Sequence, residues 1–333
     1  MDNKSLISIC IPTYNRASYL DNAIKSIVEN SDGLNIELVI SNNASTDNTT
    51  EIVSKYRLKY PFIKYYINDE NVGFDSNILL CIQRSKGRYI WLFGDDDILK
   101  TDAIKEAIKF LKNNNYPTVA IINWELVDLN GVIMRDHVIN ADKDVYTDNP
   151  SIYLHTVSNK LAFISSMIIK KEHINIDQSI EKLVMSGYIQ VGILFNVIKA
   201  SPYIAIMAKV LIAQTAQERI GDNIGNYIYG IHAILWSYQR QGLFSYSIVY
   251  NVTNKIMINF IFHQSRTLES RMNMHNMIKK FGWGFLIGAY YRYPLFWLLC
   301  LPLILVKDKL AIFLTNNVVD IIRNRVIILK KWC

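Results

Sequence analysis

The stretch RYIWLFGDDDIL, residues 88–99, decides how this chain folds. Residues 89–93 are aromatic and β-branched, form a run too short for a helix, and read as a buried strand. The run stops at Gly94 and three consecutive carboxylates, Asp95, Asp96 and Asp97. Like charges crowded at a strand's end repel one another unless a cation neutralises them. The carboxyl end of a parallel strand is also where α/β folds gather their ligands. Hard oxygen donors suit Mg²⁺ or Mn²⁺, which in turn implies a phosphate. The plainer alternative is a solvated turn, with Asp97 capping a helix that starts near Thr101.

Working outward, the same strand-then-helix unit recurs. Residues 6–12 (LISICIP) read as a first strand closed by Pro12. Leu20, Ala23, Ile24, Ile27 and Val28 follow at helical spacing, with Asn15 or Ser18 placed to cap that helix. Residues 36–40 read as a second strand, followed by a polar loop and a helix from about Asp47. A third round, IKYYIND then SNILLCIQRSK, is joined by ENVGFD. Strands alternating with short helices predict an α/β fold with a mostly parallel sheet wound in βαβ units. No repeat of fixed period is present, which excludes a solenoid.

Composition narrows the setting. The chain has 333 residues, half of them apolar, enough for one large domain and an appendage. Cys10, Cys81, Cys300 and Cys333 show neither metal nor disulfide spacing, which suits a reducing cytosol, and no secretory signal precedes the first strand. The net charge of +7 is uneven: residues 251–333 hold twelve Lys/Arg against three Asp/Glu, a balance of +9 that leaves about −2 for residues 1–250. Cationic residues interleaved with long apolar runs point to anionic lipid and away from nucleic acid.

Four polar loops follow four strands: PTYNR, SNNASTD, NDENVGFD and GDDDIL. In a parallel sheet these ends lie side by side, so the loops converge on one crevice. No G-x-G-x-x-G follows the first strand, and no G-x-x-x-x-G-K-[ST] occurs, so neither a dinucleotide dehydrogenase nor a P-loop enzyme is supported. Taken together, IPTYNR, NASTDNT, N-x-G-x-x-x-N and GDDD resemble, in order and spacing, the inverting family 2 glycosyltransferases of the GT-A fold. The resemblance covers roughly residues 5–125. It implies a Rossmann-like GT-A sheet flanked by helices, with a nucleotide-sugar half at 1–125 and an acceptor half at 126–250; the basic and apolar residues 251–333 are expected to form a helical membrane-associating region.

The resemblance also assigns roles. Pro12, Thr13, Tyr14 and Arg16 would border the donor nucleotide, with the tyrosine face against the base. Asn42 stands where relatives usually carry Asp. Its amide offers a donor and an acceptor together, which matches cytosine's edge and favours a CDP-sugar; the alternative is a plain turn residue, with UDP- or dTDP-sugars as donors. Gly73 and Asn77 would lie beside the donor, Asp75 would cap its own helix, and Asp47 would cap the next one. Asp95 would touch ribose or metal, while Asp96 and Asp97 would hold Mg²⁺ or Mn²⁺ against the diphosphate. Gly94 replaces the first residue of the family's usual DxDD, which leaves the division of labour among the three open.

Beyond residues 117–126, read as a fifth strand, the resemblance thins. The Glu-Asp pair that supplies the base in inverting relatives is missing between residues 151 and 221. Asp177 and Glu181 are the candidates, followed by Glu172, Glu125 and Asp128. Residues 186–200 read as a buried helix, with Gln190 a polar contact for the acceptor. Residues 214–223 could close over the diphosphate, with Arg219 as counter-ion. His155, His232 and His263 have no ligand spacing and read as packing or surface residues.

Residues 281–306 are almost entirely apolar or aromatic, broken by Arg292, Pro294 and Pro302 and flanked by lysines. A spanning helix needs about twenty unbroken apolar residues, and the longest clean run here is residues 295–306, which suits an interfacial or re-entrant segment. A buried helical hairpin is the alternative. The final basic stretch, residues 320–333, would strengthen attachment. The expected partners are a nucleotide-sugar, a lipid-linked oligosaccharide acceptor as in O-antigen assembly, and the inner leaflet of the cytoplasmic membrane. The expected activity is transfer of one hexosyl group; a catalytically silent nucleotide-binding protein is the competing reading. No Q-x-x-R-W occurs, which disfavours a processive synthase.

Overall fold

The computed structural model describes residues 5–128, 130–215, 230–265, 267–281, 283, 287 and 290–317. They fall into two compact units, one within Met1–Glu218 and Arg240–Ser245, the other within Arg219–Gln239 and Tyr246–Cys333.

In the first unit the alternation read from the sequence becomes β1 (Ile7–Thr13), α1 (Ala17–Glu29), β2 (Ile36–Asn42), α2 (Thr49–Lys59), β3 (Ile63–Ile67), α3 (Phe74–Arg84) and β4 (Tyr89–Leu92). The strands β1 and β2 are buried at every residue, and the polar residues within them find partners there, the Ser8 hydroxyl donating to Glu37 Oε2 at 2.5 Å. Helix α1 turns Leu20, Ala23, Ile24 and Ile27 onto the sheet, all fully buried. Strand order is β3-β2-β1-β4, all parallel. Register places Thr13 beside Asn42 and Asn42 beside Ile67, so the loops after β1, β2 and β3 leave the sheet at one level.

The residues after the acidic triplet differ from expectation. Asp97–Leu99 is itself a short strand, β5, and α4 begins only at Ala103 and runs to Asn113. Asp97 therefore does not cap α4; the Ala103 N–H donates to Asn30 Oδ1 instead, at 2.9 Å. Ile98 and Leu99 suit an extended strand, and they pair antiparallel with a later one. That later strand lies on the far side of β6 (Val119–Val127), the strand read from residues 117–126. Two short strands follow β6, β7 (Ile133–Arg135) on β6 itself and β8 (Val145–Thr147), and then α5 (Pro150–Val157). β9 (Met167–Lys170) is inserted antiparallel between β4 and β6. The chain continues through α6 (Gln178–Glu181), α7 (Ile189–Ala200) and β10 (Ile204–Thr215), the partner of β5 and β8 and parallel to β6. The sheet is thus mixed, parallel through the half built from β1 to β4.

The second unit is helical: α8 (His232–Arg240), α9 (Tyr246–Gln264), α10 (Leu268–Phe281), a π turn at Phe296–Cys300, α11 (Leu301–Leu305) and α12 (Asp308–Asn317). Met257, Phe260, Met274, Tyr290, Tyr293 and Phe296 form its core. Arg271 is fully buried, pairing with Asp308 at 2.6 Å and donating to the carbonyls of Leu303 and Val306, so one guanidinium satisfies the end of α11. Among the described residues, no helix is long and apolar enough to cross a membrane.

Candidate functional site

The loops after β1 and β4 meet. Thr13 Oγ1 donates to Asp95 Oδ2 at 2.8 Å, and the Arg16 guanidinium bridges Asp95 Oδ1 at 3.3 Å and Asp96 Oδ2 at 2.8 Å. Burial lifts the Asp95 carboxyl to about 6, against the pull of Arg16 and with the help of the Asp96 charge. Burial also works against the Arg16 charge, but the two aspartates outweigh it and raise its pKa. Asp97 turns inward and accepts from the Ser165 hydroxyl, while the Gly94 N–H donates to that hydroxyl at 2.7 Å. Gly94 has a steric reason: a Cβ there would come within 2.8 Å of Asp97 Oδ2 and 3.0 Å of Asp96 Oδ1.

The loops after β1 and β2 are clasped. Asn15, in the left-handed region at φ 51, does not cap α1; its Oδ1 accepts from the Thr46 N–H at 2.7 Å. The cap of α1 comes from Asp47, whose Oδ2 accepts from the Ala17 N–H at 2.9 Å while Oδ1 accepts from the Thr49 N–H and hydroxyl. Asp47 therefore serves two helices where the sequence suggested one.

A buried asparagine network joins the loops after β2 and β3. Asn42 is fully buried; its Nδ2 donates to the Tyr65 hydroxyl at 2.7 Å and its Oδ1 accepts from the Ser45 N–H at 2.9 Å. Asn43 accepts from the Val72 N–H and from Asn68, and donates to Asn71. Asn77, also buried, accepts from the Ser41 hydroxyl and Asn68 and donates to the Ser41 carbonyl. Gly73 takes φ 84 at the start of α3. Asp75 departs from its expected role: it caps the approach to α7 across the fold, accepting from the Gly187 N–H at 2.8 Å and the Ile189 N–H at 3.3 Å. Around this scaffold the Tyr14 ring is 42% exposed, and the Arg16 and Asp96 side chains, paired with each other, are 35% and 16% exposed.

The base candidates are not gathered at the acidic turn by any hydrogen bond or ion pair among the described residues. Asp177 caps α6, accepting from the Ser179 hydroxyl and N–H and the Ile180 N–H, and these bonds lower its pKa. Glu181 sits in the same short helix. Glu172 pairs with Lys170, Glu125 is buried against Lys100 at 2.7 Å, and Asp128 closes the turn before β7. Gln190 is buried at the start of α7, its Nε2 donating to the Ala162 carbonyl at 3.3 Å. Arg219 lies outside the described residues. Ser165 and Tyr65 are partners that sequence reasoning missed, since neither stands in a recognisable motif.

Oxygen donors of this kind suit a hard divalent cation, and the cradle over Gly94, which a Cβ would fill, brings Asp96 and Asp97 oxygens together. Arg16 now holds Asp95 and Asp96, and among the described residues no group of three or more metal-binding side chains is set for an ion.

A sheet whose strand ends gather polar loops around an acidic turn has the architecture of the GT-A glycosyltransferases. Staphylococcus aureus TarS 1-349 superposes with a TM-score of 0.58 at 17% identity, covering 86% of this chain and 81% of that one. A mannosyltransferase from Pyrobaculum calidifontis, solved in complex with GDP-Man and Mn²⁺, gives 0.55 at 13% identity over 94% and 84%. Residues 8–166 match the family described as Glycosyl transferase family 2, and the chain carries a domain of that family. Abequosyltransferase RfbV of Salmonella typhimurium is 34% identical over 179 residues, 50% of this chain and 53% of that protein. Chondroitin synthase of Pasteurella multocida is 34% identical over 119 residues, 35% of this chain and 12% of that protein. The match to the abequosyltransferase thus spans about half of its length.

Proposed function

We propose that the chain moves one sugar from a nucleotide-sugar onto a polyprenyl-diphosphate-linked oligosaccharide, at the cytoplasmic face of a bacterial inner membrane during O-antigen assembly. The observation that carries this reading is the clasp of Thr13 and Arg16 on Asp95 and Asp96 beside an open Tyr14 ring. It sets an aromatic face, a guanidinium and carboxylates within one crevice, the chemistry that a base, a diphosphate and its counter-ion require. The solved neighbours support a nucleotide-sugar, one being a complex with UDP-GlcNAc and another with GDP-Man. The likeness to an abequosyltransferase supports CDP-abequose as the first donor to test. Asn42 gives that choice no help, because both ends of its amide are bonded within the protein.

In the reaction, an acceptor hydroxyl oxygen attacks the anomeric carbon as the bond to the diphosphate breaks. The nucleoside diphosphate leaves with the electron pair, and the hydroxyl proton passes to a base. Tyr14 holds the nucleobase, and Arg16 stands where negative charge grows on the leaving group. Asp96, assisted by Asp97, would hold Mg²⁺ or Mn²⁺, which would supply further neutralisation of that charge. Of the two base candidates, Asp177 is engaged as a helix cap, so Glu181 is the one to test first. We assign donor binding and transfer to residues 1–250 and membrane association to residues 251–333.

The test is a screen of nucleotide-sugars with Mg²⁺ or Mn²⁺ and a lipid-linked acceptor, reading nucleoside diphosphate release. Release from a CDP-sugar supports the full reading; release only from UDP- or dTDP-sugars keeps the activity and removes the donor. Nucleotide binding without turnover of any donor would favour the silent protein.

A further inference from the structure

The second unit presents large apolar side chains on both sides of one short stretch. Phe296, Cys300 and Ile304 are buried in its core, while Leu298, between the first two, and Leu305, just after the third, are 70% and 64% exposed. Trp297 is also exposed, and on α12 Leu310 and Phe313 stand one turn apart on the open side while Ala311 and Thr315 face in. A helix with one apolar face is complete once that face is packed; a second exposed face marks an interaction surface.

Charge selects the occupant. Residues 270–307 contain five Lys/Arg and no Asp/Glu. Lys279, Arg292, Lys307 and Lys309 are exposed. The next carboxylate, Asp308, is drawn to the buried Arg271. A cationic rim repels a second copy of itself and attracts an anionic surface. The aromatic tips agree: Trp297 Nε1 donates to the Tyr291 carbonyl at 3.0 Å, so the indole's polar atom is satisfied inside the protein while its ring stays open. Such a ring enters a headgroup layer without stranding a donor.

We infer that this side of the second unit is a docking surface for anionic phospholipid, seated in one leaflet through Trp297, Leu298, Leu305, Leu310 and Phe313 and rimmed by the four exposed cations. The inference deepens the lipid-linked-acceptor reading, but its test needs no turnover. The full chain is floated with vesicles of phosphatidylcholine alone or of phosphatidylcholine with phosphatidylglycerol. The wild type should float with the second kind at least about tenfold more strongly. Leu298→Glu with Leu305→Glu should lower that binding about tenfold or more, at any salt concentration. Lys307→Gln with Lys309→Gln should lower it about tenfold at low salt and little at high salt, where screening has already removed the electrostatic share. Circular dichroism and nucleotide binding should stay at wild-type values in both double variants, since every altered side chain is exposed. Equal flotation of wild type and variants, or no preference for the anionic vesicles, would overturn the inference. So would a stable dimer that the leucine variants split while no form floats. If flotation behaves as stated and no donor turns over, the docking surface stands and the catalytic reading falls.

Discussion

The crevice at the strand ends and the outer face of the second unit depart from the ordinary inside-outside rule in opposite directions. At the strand ends, polar side chains are buried: Asn42, Asn43, Asn77, Asp95 and Asp97 are almost inaccessible. On the second unit, tryptophan, leucine and phenylalanine are exposed. Exposed single apolar residues and buried apolar cores carry little information; buried polar groups and broad exposed apolar patches carry a great deal. The first departure is stabilised within the chain, because nearly every buried polar atom there meets a partner. The second leaves large apolar side chains exposed, and it is there that the proposed docking acts. Breaking each region should therefore produce different losses.

The largest loss should come from Asp96→Ala. Asp96 is the most open of the three carboxylates and holds only Arg16 in place, so its removal should cut transfer by about a thousandfold or more. The thermal midpoint should stay close to that of the wild type, and vesicle binding should be unchanged. Near-normal nucleoside diphosphate release would mean that the acidic turn is not the centre of the reaction.

Asn77→Ala should do the reverse. It removes three hydrogen bonds in a closed network and leaves Ser41 and Asn68 facing a void. Stability should fall by about 3 kcal/mol in denaturant unfolding, the cost of stranded buried polar groups. A loss below about 1 kcal/mol would show that water satisfies the network as well as asparagine does.

His232 tests the second unit's interior. Enclosed by Trp236, Tyr290 and Tyr293, its imidazole is pushed down to about 4 by burial. Between pH 6.5, its ordinary value, and 4, the unfolded chain takes up a proton that the folded one refuses. Stability contributed by the neutral ring is thus complete above pH 6.5 and should be lost by about 2–3 kcal/mol as pH falls to 4. Tryptophan fluorescence during urea unfolding would follow it, and His232→Gln should flatten the slope. An unchanged slope in that variant would assign the acid sensitivity to another group.

These regions also differ in how readily the sequence discloses them. The strands, the converging loops and the acidic turn were legible because each is a local pattern: an apolar run, then a polar break at its end. The partners of the loop residues were not. Asp75 meets Gly187, 112 residues away, and Asp97 meets Ser165, 68 residues away, through contacts that no spacing rule encodes. Asp75 looked like a local cap because an acid in a helix's first turn usually is one. The exposed apolar face was legible in composition, but its two-sidedness emerged only once Phe296 and Cys300 turned inward beside an exposed Leu298.

Asn42 poses the finest test, and the smallest effect is expected there. An amide that donates and accepts suits cytosine's edge, yet the same two atoms suit the Tyr65 hydroxyl and the Ser45 N–H, which occupy them. Asn42→Asp keeps the acceptor for Ser45 and gives Tyr65 a carboxylate to donate to, so the fold should tolerate it. If the amide read the base, the substitution would shift the CDP-to-UDP affinity ratio by about a hundredfold, because it exchanges a donor for an acceptor at the discriminating edge. With the amide closed off inside the loop scaffold, competition binding should show a shift of less than about threefold, the scale of an indirect adjustment. A large shift toward UDP would mean that Asn42 leaves Tyr65 when the nucleotide arrives, and that the buried polar region is less closed than the strand-end crevice portrays it.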